Sequence, residues 1–315
     1  MVDKTKVILV SISILLLALL LAYGNPAQLL AYLSHAKPEF VLLSLVFMSF
    51  SMLARVFRWQ ILLKEVQPIT FRELLPIQFF GLALSNLAPG KLSEPAKSII
   101  LKSTHSTTLS SSLPTVALER LGDMLAVLFY STLVFLFLPA SYLLLPIALF
   151  ALATFIFILA SNNSTLEQFV LNLVKRFAPN FRENAQTMFL GLKLKRSFLP
   201  VFIISLAIWA IDSLAIYAIL TSVGVSLADY GIHGFASQFA LILGFLAFSV
   251  LIGLISFLPG GIGSTELSVA FLFTLIGVPR ELAISWAIIS RIPTFWYALV
   301  LGLLSSVFIK KQEKR

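Results

Sequence analysis

One stretch constrains the fold more than any other. Ser256-Phe257-Leu258-Pro259-Gly260-Gly261-Ile262-Gly263-Ser264-Thr265-Glu266 interrupts a nearly unbroken apolar run from Phe235 to Gly277. Proline lacks the backbone donor and clashes with the preceding turn, and glycine frees the backbone, so a helix stops here. Asn86-Leu87-Ala88-Pro89-Gly90-Lys91-Leu92-Ser93-Glu94 repeats the idea: Pro-Gly, then a hydroxyl, then a carboxylate. In a bilayer the freed N–H and C=O groups find no water, so a broken helix survives only where protein or a water-filled cavity satisfies them. Both stretches are therefore read as parts of one buried polar site.

The bilayer itself follows from composition. Of 315 residues, 59% are hydrophobic and only 12% charged, with a mean hydropathy of +0.98. A soluble domain carries about twice that charged fraction. The apolar runs are continuous and about as long as a bilayer-spanning helix, unlike the alternating segments of an outer-membrane barrel. The absence of cysteine excludes disulfides, iron–sulfur clusters and thiol chemistry. His35, His105 and His233 lie in separate loop regions, which argues against a histidine metal cluster, and no metal or cofactor is expected. No polar stretch is large enough for a soluble catalytic domain, so whatever the protein does is expected in or at the membrane. The net charge of +9 fits loops lying on anionic lipid at the cytoplasmic side and is not read as nucleic-acid binding.

Charge placement orients the segments. Lys4 and Lys6 precede an apolar run from Val7 to Tyr23, which is longer than a signal-peptide core and lacks a small-x-small site, so it reads as a retained first helix. The second span, about Phe40 to Leu63, ends among Arg55, Arg58 and Lys64, with Arg72 beyond; Arg55 and Arg58 read mainly as cytoplasmic interfacial anchors. Phe71 to Ala88 leads to the first break, and Leu92 to Lys102 leads away, where Lys91, Lys97 and Lys102 make a full crossing costly. Leu113 to Leu138 carries Glu119-Arg120-Leu121-Gly122-Asp123, and a further span runs from Tyr142 to Ala160. Residues 161–197 are basic, with one-sided apolar spacing at Leu166, Phe169, Val170, Leu173 and Val174, the pattern of an amphipathic segment on the cytoplasmic surface. Phe198 to Val223 contains Asp212; the loop that follows to His233 has no lysine or arginine and is read as external. The last span, about Leu282 to Ile309, ends in Lys310-Lys311-Gln312-Glu313-Lys314-Arg315. Both termini are thus expected in the cytoplasm of a multi-pass protein of the cell (plasma) membrane.

Counting sides makes the limbs around Pro89 enter and leave from the cytoplasm, and those around Pro259 from outside. Full crossing by both limbs of the second break satisfies the same parity, but Glu266 to Gly277 is short for a span. The expected fold is an all-α polytopic membrane protein, a single domain over 1–315, with about six spanning helices and two re-entrant broken-helix hairpins. Its halves, 1–140 and 141–315, match in element order: two helices, a hairpin, and a third helix with an arginine near its start. Nearly the same spacing separates Glu94 from Arg120 as separates Glu266 from Arg291. An odd number of crossings per half makes this an inverted-topology repeat, which in transporters places the substrate site where the broken helices meet near the midplane.

Ala88-Pro89-Gly90-Lys91-Leu92-Ser93-Glu94-Pro95-Ala96-Lys97, Leu118-Glu119-Arg120-Leu121-Gly122-Asp123, and Leu258-Pro259-Gly260-Gly261-Ile262-Gly263-Ser264-Thr265-Glu266 with Arg291 resemble the lysylphosphatidylglycerol synthase/flippase transmembrane region, a family of flippase-like integral membrane proteins. The likeness runs over nearly the whole chain. It departs at Lys91-Leu92-Ser93, where many members have another glycine, and at Ser264-Thr265, which separate the glycines from Glu266. The resemblance implies lipid translocation and leaves the lipid open. The aminoacyl-transferase fused to some members is absent, so lipid aminoacylation is not implied; a glycosyltransferase or other lipid-modifying enzyme is the kind of partner that related modules have.

An anionic lipid head needs a polar groove with fixed positive charge and N–H donors to cross a medium of low dielectric. Arg120 and Arg291 suit a phosphate, with donors from the helix starts after Pro89-Gly90 and Pro259-Gly260, including Gly261, Gly263 and Ser264. Glu94 and Glu266 either hold the arginines while the site is empty, titrate during transport, or form structural ion pairs. Glu119 and Asp123, one turn apart, are a cation or proton site or else partners of Lys91, Lys97 or Arg120. Asp212, mid-span, is a candidate site residue or a group with a local hydrogen-bond partner. The function expected is a flippase-like transporter of an anionic phospholipid or polyprenyl-phosphate-linked lipid; the alternatives are a membrane enzyme acting on a lipid phosphate, with Glu119 and Asp123 as metal ligands, and a non-transporting partner of a lipid glycosyltransferase.

Overall fold

A computed structural model describes residues 4–88, 96–138 and 195–312, with a few isolated positions between 148 and 172. The described residues form helices and no strand: α1 (Lys4–Tyr23), α2 (Pro26–Ser34), α3 (Pro38–Leu63), α4 (Phe71–Leu87), α5 (Ala96–His105), α6 (Leu109–Ser131), α7 (Lys195–Ser222), α8 (Phe235–Ile255), α9 (Ser264–Leu275), α10 (Arg280–Arg291) and α11 (Ala298–Gln312). A π-helical turn, Ile292–Tyr297, joins α10 to α11. Pro76, Pro114 and Pro200 sit inside α4, α6 and α7.

Local chemistry sets several boundaries. Asn25 caps α2, its side chain accepting the Gln28 N–H at 3.1 Å, and Pro26 and Pro38 open α2 and α3, where a missing N–H costs nothing. The Asn25-Pro26 start turns α2 83° from α1, and α2 buries none of its residues. Neither the bend nor the short helix was anticipated.

Among the described residues, four segments are long and apolar enough to cross a membrane, Pro38–Leu63, Phe198–Ser222, Phe235–Ile255 and Arg280–Ile309, and the bent α1–α2 pair makes a fifth if it is one span. Of the six expected spans, nearly all of Tyr142 to Ala160 lies outside the described residues, as does nearly all of the amphipathic segment 161–197. α6 has 23 residues, enough to cross, but Glu119, Arg120 and Asp123 lower its apolarity. Arg120 and Arg291 lie roughly three turns into their helices, deeper than the near-start position expected.

In lipid, helices associate through close packing more than through the hydrophobic effect. Here α3 packs along α7, α4 against α11, and α8 against α6. Gly302 of α11 lies so close to α4 that a Cβ there would stand 2.4 Å from the Phe79 carbonyl oxygen and 2.5 Å from the Ala83 Cβ. A large core of α6 to α10 residues, including Trp209, Phe245, Phe273 and Trp286, joins the second half to α6. A smaller one around Trp59, Leu74 and Leu101 ties α3 to α4 and α5.

The second break forms as expected, between the end of α8 and the start of α9. Phe257, Gly260, Gly261 and Gly263 take positive φ, which explains the glycine density after Pro259. A Cβ on Gly260 would stand 2.4 Å from the Asn86 carbonyl oxygen, so the tip of the second break presses on the last turn of α4, just before the first break. The two limbs are unequal: α8 has 21 residues, about the thickness of a bilayer core, whereas α9 has 12 and rises only about 18 Å. Residues 89–95 of the first break lie outside the described residues.

Candidate functional site

Two polar clusters form inside this bundle. The first is built from five helices. Arg55 and Arg58 are three residues apart on α3, Glu119 and Asp123 four apart on α6, and Ser205, Trp209 and Asp212 recur on one face of α7. These spacings align each set on one helical face. α4 and α5 add Gln78 and Lys97.

Arg58, only 2% exposed, is the hub. Its Nη1 and Nη2 donate to the two Asp123 carboxylate oxygens at 2.6 and 3.0 Å, Nη1 also to Ser205 Oγ at 2.6 Å, and Nε to Glu119 Oε1 at 3.3 Å. The other Glu119 oxygen takes the Lys97 ammonium, which also donates to Gln78 Oε1 at 2.9 Å and lies 4.3 Å over the Trp59 ring. Arg55 Nη2 donates to Asp212 Oδ2 at 2.7 Å, and Arg55 Nη1 stands 3.8 Å from Asp123 Oδ2. Trp209 Nε1–H donates to Asp123 Oδ1 at 3.3 Å, and Trp59 Nε1–H to Thr115 Oγ1 at 3.0 Å.

Burial explains why each of these charges has an opposite charge beside it. Each ion taken from water costs several kcal/mol, recovered only with opposite charge and filled hydrogen bonds. Three cations, Arg55, Arg58 and Lys97, face three carboxylates, Glu119, Asp123 and Asp212, so this set is neutral. Arg120 adds its charge to the field at Asp123.

The second cluster sits at the second break. Glu266, the third residue of α9, accepts the Gly263 N–H on Oε2 at 2.7 Å, capping the helix start, and its Oε1 stands 2.7 Å from Arg291 Nε. That N–H is not aligned on the oxygen, so the contact is an ion pair rather than a hydrogen bond. Arg291 Nη2 donates to the Gly260 carbonyl oxygen at 2.7 Å, and the guanidinium lies 4.8 Å from the Phe295 ring centre. Ser264 Oγ meets Ser256 Oγ at 2.8 Å across the break. Beside the cluster is a half-open pocket with apolar walls from Ile216, Ile242, Phe245, Leu246, Val269 and Phe273; Thr265, Ser290, Arg291 and Thr294 supply its polar edge.

Of the residues singled out by sequence, the structure brings Arg291, Glu266, Gly260, Gly261, Gly263, Ser264 and Pro259 together at the second break, and Glu119, Asp123 and Asp212 together in the first cluster. Pro89, Gly90 and Glu94 lie outside the described residues, and with them the expected Glu94–Arg120 pair. Among the alternatives for Glu119, pairing with Lys97 is what forms. Asp212 is not solitary: its partner is Arg55. Arg55 and Arg58 are corrected from interfacial anchors to buried members of a network, because carboxylates arrive from α6 and α7 to meet them. Trp59, read with Arg58 as an interfacial anchor, is buried beside Lys97 instead, and Gln78, Ser205 and Trp209 join the network without a local sequence mark; the available signal is two arginines on one face of an otherwise apolar span.

A bundle of apolar helices enclosing two charged clusters, one at a glycine-rich helix break, defines a polytopic integral membrane protein with a polar interior. The lysylphosphatidylglycerol synthase TM region family matches residues 7–302, and the chain belongs to it. It is 25% identical to the UPF0104 membrane protein PH1989 of Pyrococcus horikoshii, covering 98% of both chains. It is 26% identical to a UPF0104 membrane protein of Methanothermobacter thermautotrophicus, over 94% of this chain and 93% of that one.

Proposed function

We propose that the protein moves an anionic phospholipid or polyprenyl-phosphate-linked lipid between membrane leaflets. The observation that carries this is the pocket at the second break. The pocket has room for about one water, so it marks a head-group end and not a chain groove: its polar edge ends at Arg291, whose guanidinium suits a phosphate, against apolar walls. The helix start at Ser264 adds backbone donors close by.

Reciprocal packing supports an inverted repeat. α4 of the first hairpin packs on α11, and α8 of the second packs on α6, while the equivalent helices α3 and α7 pack on each other between them. On this reading α9 and the first three turns of α10 reach about 18 Å inward, which puts the tip at Gly260 near the midplane. Both termini then face the cytoplasm of the cell membrane, and a lipid-modifying enzyme is the kind of partner that would supply or consume the cargo.

The test is leaflet exchange in reconstituted vesicles, using fluorescent phosphatidylglycerol and phosphatidylcholine side by side. Phosphatidylglycerol should exchange faster than in protein-free vesicles, with phosphatidylcholine slower, and Arg291→Ala should remove the difference. Exchange no faster than in protein-free vesicles, or equal rates for the two lipids, would overturn the proposal.

A further inference from the structure

We infer that Asp212 is a proton-binding site that couples proton uptake to the binding of an anion. The argument starts from polar atoms left without partners in an otherwise saturated cluster. Asp212 is 5% exposed, and only its Oδ2 is paired, with Arg55; Oδ1 is buried and has no hydrogen-bond partner. Ser51, one turn before Arg55 on α3 and fully buried, lies beside the Asp212 carboxylate, but its hydroxyl is not aligned for a well-formed hydrogen bond. The Arg55 Nε–H is buried and unpartnered as well. A buried carboxylate oxygen without a well-aligned donor is costly, and with the unpartnered Arg55 Nε–H and the misaligned Ser51 hydroxyl beside it, it marks a place where something further binds.

A proton is the ligand that the geometry suits. A metal cation would sit beside the Arg55 guanidinium, 2.7 Å from the same carboxylate, and be repelled. A proton on Oδ1 forms one O–H bond, turns an orphan acceptor into a donor aimed toward Ser51 Oγ, and removes the charge that holds Arg55. Arg55 has a second acceptor in reach, since its Nη1 already stands 3.8 Å from Asp123 Oδ2. Protonation therefore transfers Arg55 from α7 to α6 and loosens the α3–α7 contact.

The groups facing Asp212 are consistent with this exchange. α3 contributes Ser51, Arg55 and, beyond it, Arg58; α6 contributes Asp123, with Glu119 and Arg120 further along the face. α8 carries no titratable side chain, and on the segments that follow, Arg291 is engaged by Glu266 and Gly260 and Tyr297 by Ser49. With Asp212 protonated, the Arg55, Arg58, Lys97, Glu119, Asp123 and Asp212 set changes from neutral to a charge of +1. That excess favours an anion, so a proton and an anionic head group are taken up together. The coupling to lipid rests on the proposed transport; the proton site does not.

Infrared difference spectra of the purified protein across a pH step test the site alone. A carboxylic-acid C=O band should appear in the wild type, disappear in Asp212→Asn, and shift in Ser51→Ala. Asp212→Asn mimics the protonated state and should keep the elution volume of the wild type. A band unchanged in Asp212→Asn overturns the inference. In the vesicles, an imposed pH gradient should accelerate phosphatidylglycerol exchange in the wild type and leave Asp212→Asn unaffected; acceleration by a sodium gradient without any pH effect overturns it. If the infrared band behaves as expected and no lipid moves, the transport proposal fails and the proton site stands.

Discussion

Removing Arg58 should damage this protein more than any exposed substitution on the same helix. Arg58→Met keeps most of the side-chain volume but leaves Asp123 with Trp209 Nε1 at 3.3 Å and Arg55 at 3.8 Å, Glu119 with Lys97, and the cluster one negative charge in excess. Breaking one side of a buried ion pair costs about 3–5 kcal/mol. Four donor–acceptor contacts are lost here, two of them bidentate to one carboxylate, so about 4 kcal/mol is expected, close to a thousandfold shift in the unfolding equilibrium. Asp123→Leu in the same chain removes the stranded charge, and well-packed apolar replacements of such pairs are often neutral. The double variant should therefore regain at least about 2 kcal/mol relative to the sum of the singles. Titration with a denaturing detergent, followed by tryptophan fluorescence, suits the measurement because Trp59 and Trp209 flank the network. Phe57→Met, at a residue 51% exposed, is the control. If Arg58→Met costs no more than that control, or if the single costs simply add in the double variant, the network does not hold the bundle as argued.

Gly260→Ala places a side chain at φ +59°, with its Cβ 2.4 Å from the Asn86 carbonyl oxygen; backbone strain alone is about 1–3 kcal/mol, and thermal unfolding should show at least that loss. Glu266→Gln keeps an acceptor for the Gly263 N–H but loses the charge opposite Arg291, whereas Glu266→Ala loses both, so unfolding should rank Ala below Gln by about 1 kcal/mol. The chain has no cysteine, so single cysteines at Ser103 and His233 are clean reporters of sidedness: a membrane-impermeant maleimide on intact cells should label His233→Cys and not Ser103→Cys, and the reverse pattern would invert the proposed topology.

What could be read from the sequence was what depends on neighbours along the chain. Apolar runs as long as α3, α7 and α8 identify themselves, and Pro259-Gly260-Gly261 announced a helix break whose glycines do take positive φ. Glu266 and Arg291 could be paired in advance through the repeat, because Glu94 and Arg120 stand at nearly the same spacing. Arg58 could not, since its meaning is set by Asp123 and Ser205, which lie 65 and 147 positions away. A basic residue near the end of an apolar span looks the same whether it snorkels to lipid head groups or turns inward to a carboxylate. Asp212 was recognisable as an anomaly on its own helix, but Arg55, 157 positions away, was not recognisable as its partner. The α1–α2 bend is written locally, in Asn25-Pro26.

The two clusters differ in a way that gives the proposed transport an order. At the second break one guanidinium is balanced by one carboxylate and one backbone carbonyl, with the pocket beside it. A phosphate arriving there competes with Glu266 for Arg291, and Glu266, which is buried, keeps the Gly263 N–H as its remaining partner. The first cluster offers no such exchange: Arg58 is bound on both sides, and displacing Asp123 or Glu119 would bury an unpaired charge. An anion therefore gains from the first cluster only after one of its carboxylates is neutralised. Asp212 is the carboxylate whose neutralisation strands nothing, because Arg55 has Asp123 waiting at 3.8 Å. On these grounds the head group engages Arg291 first, and protonation of Asp212 sets when the five-helix cluster attracts it.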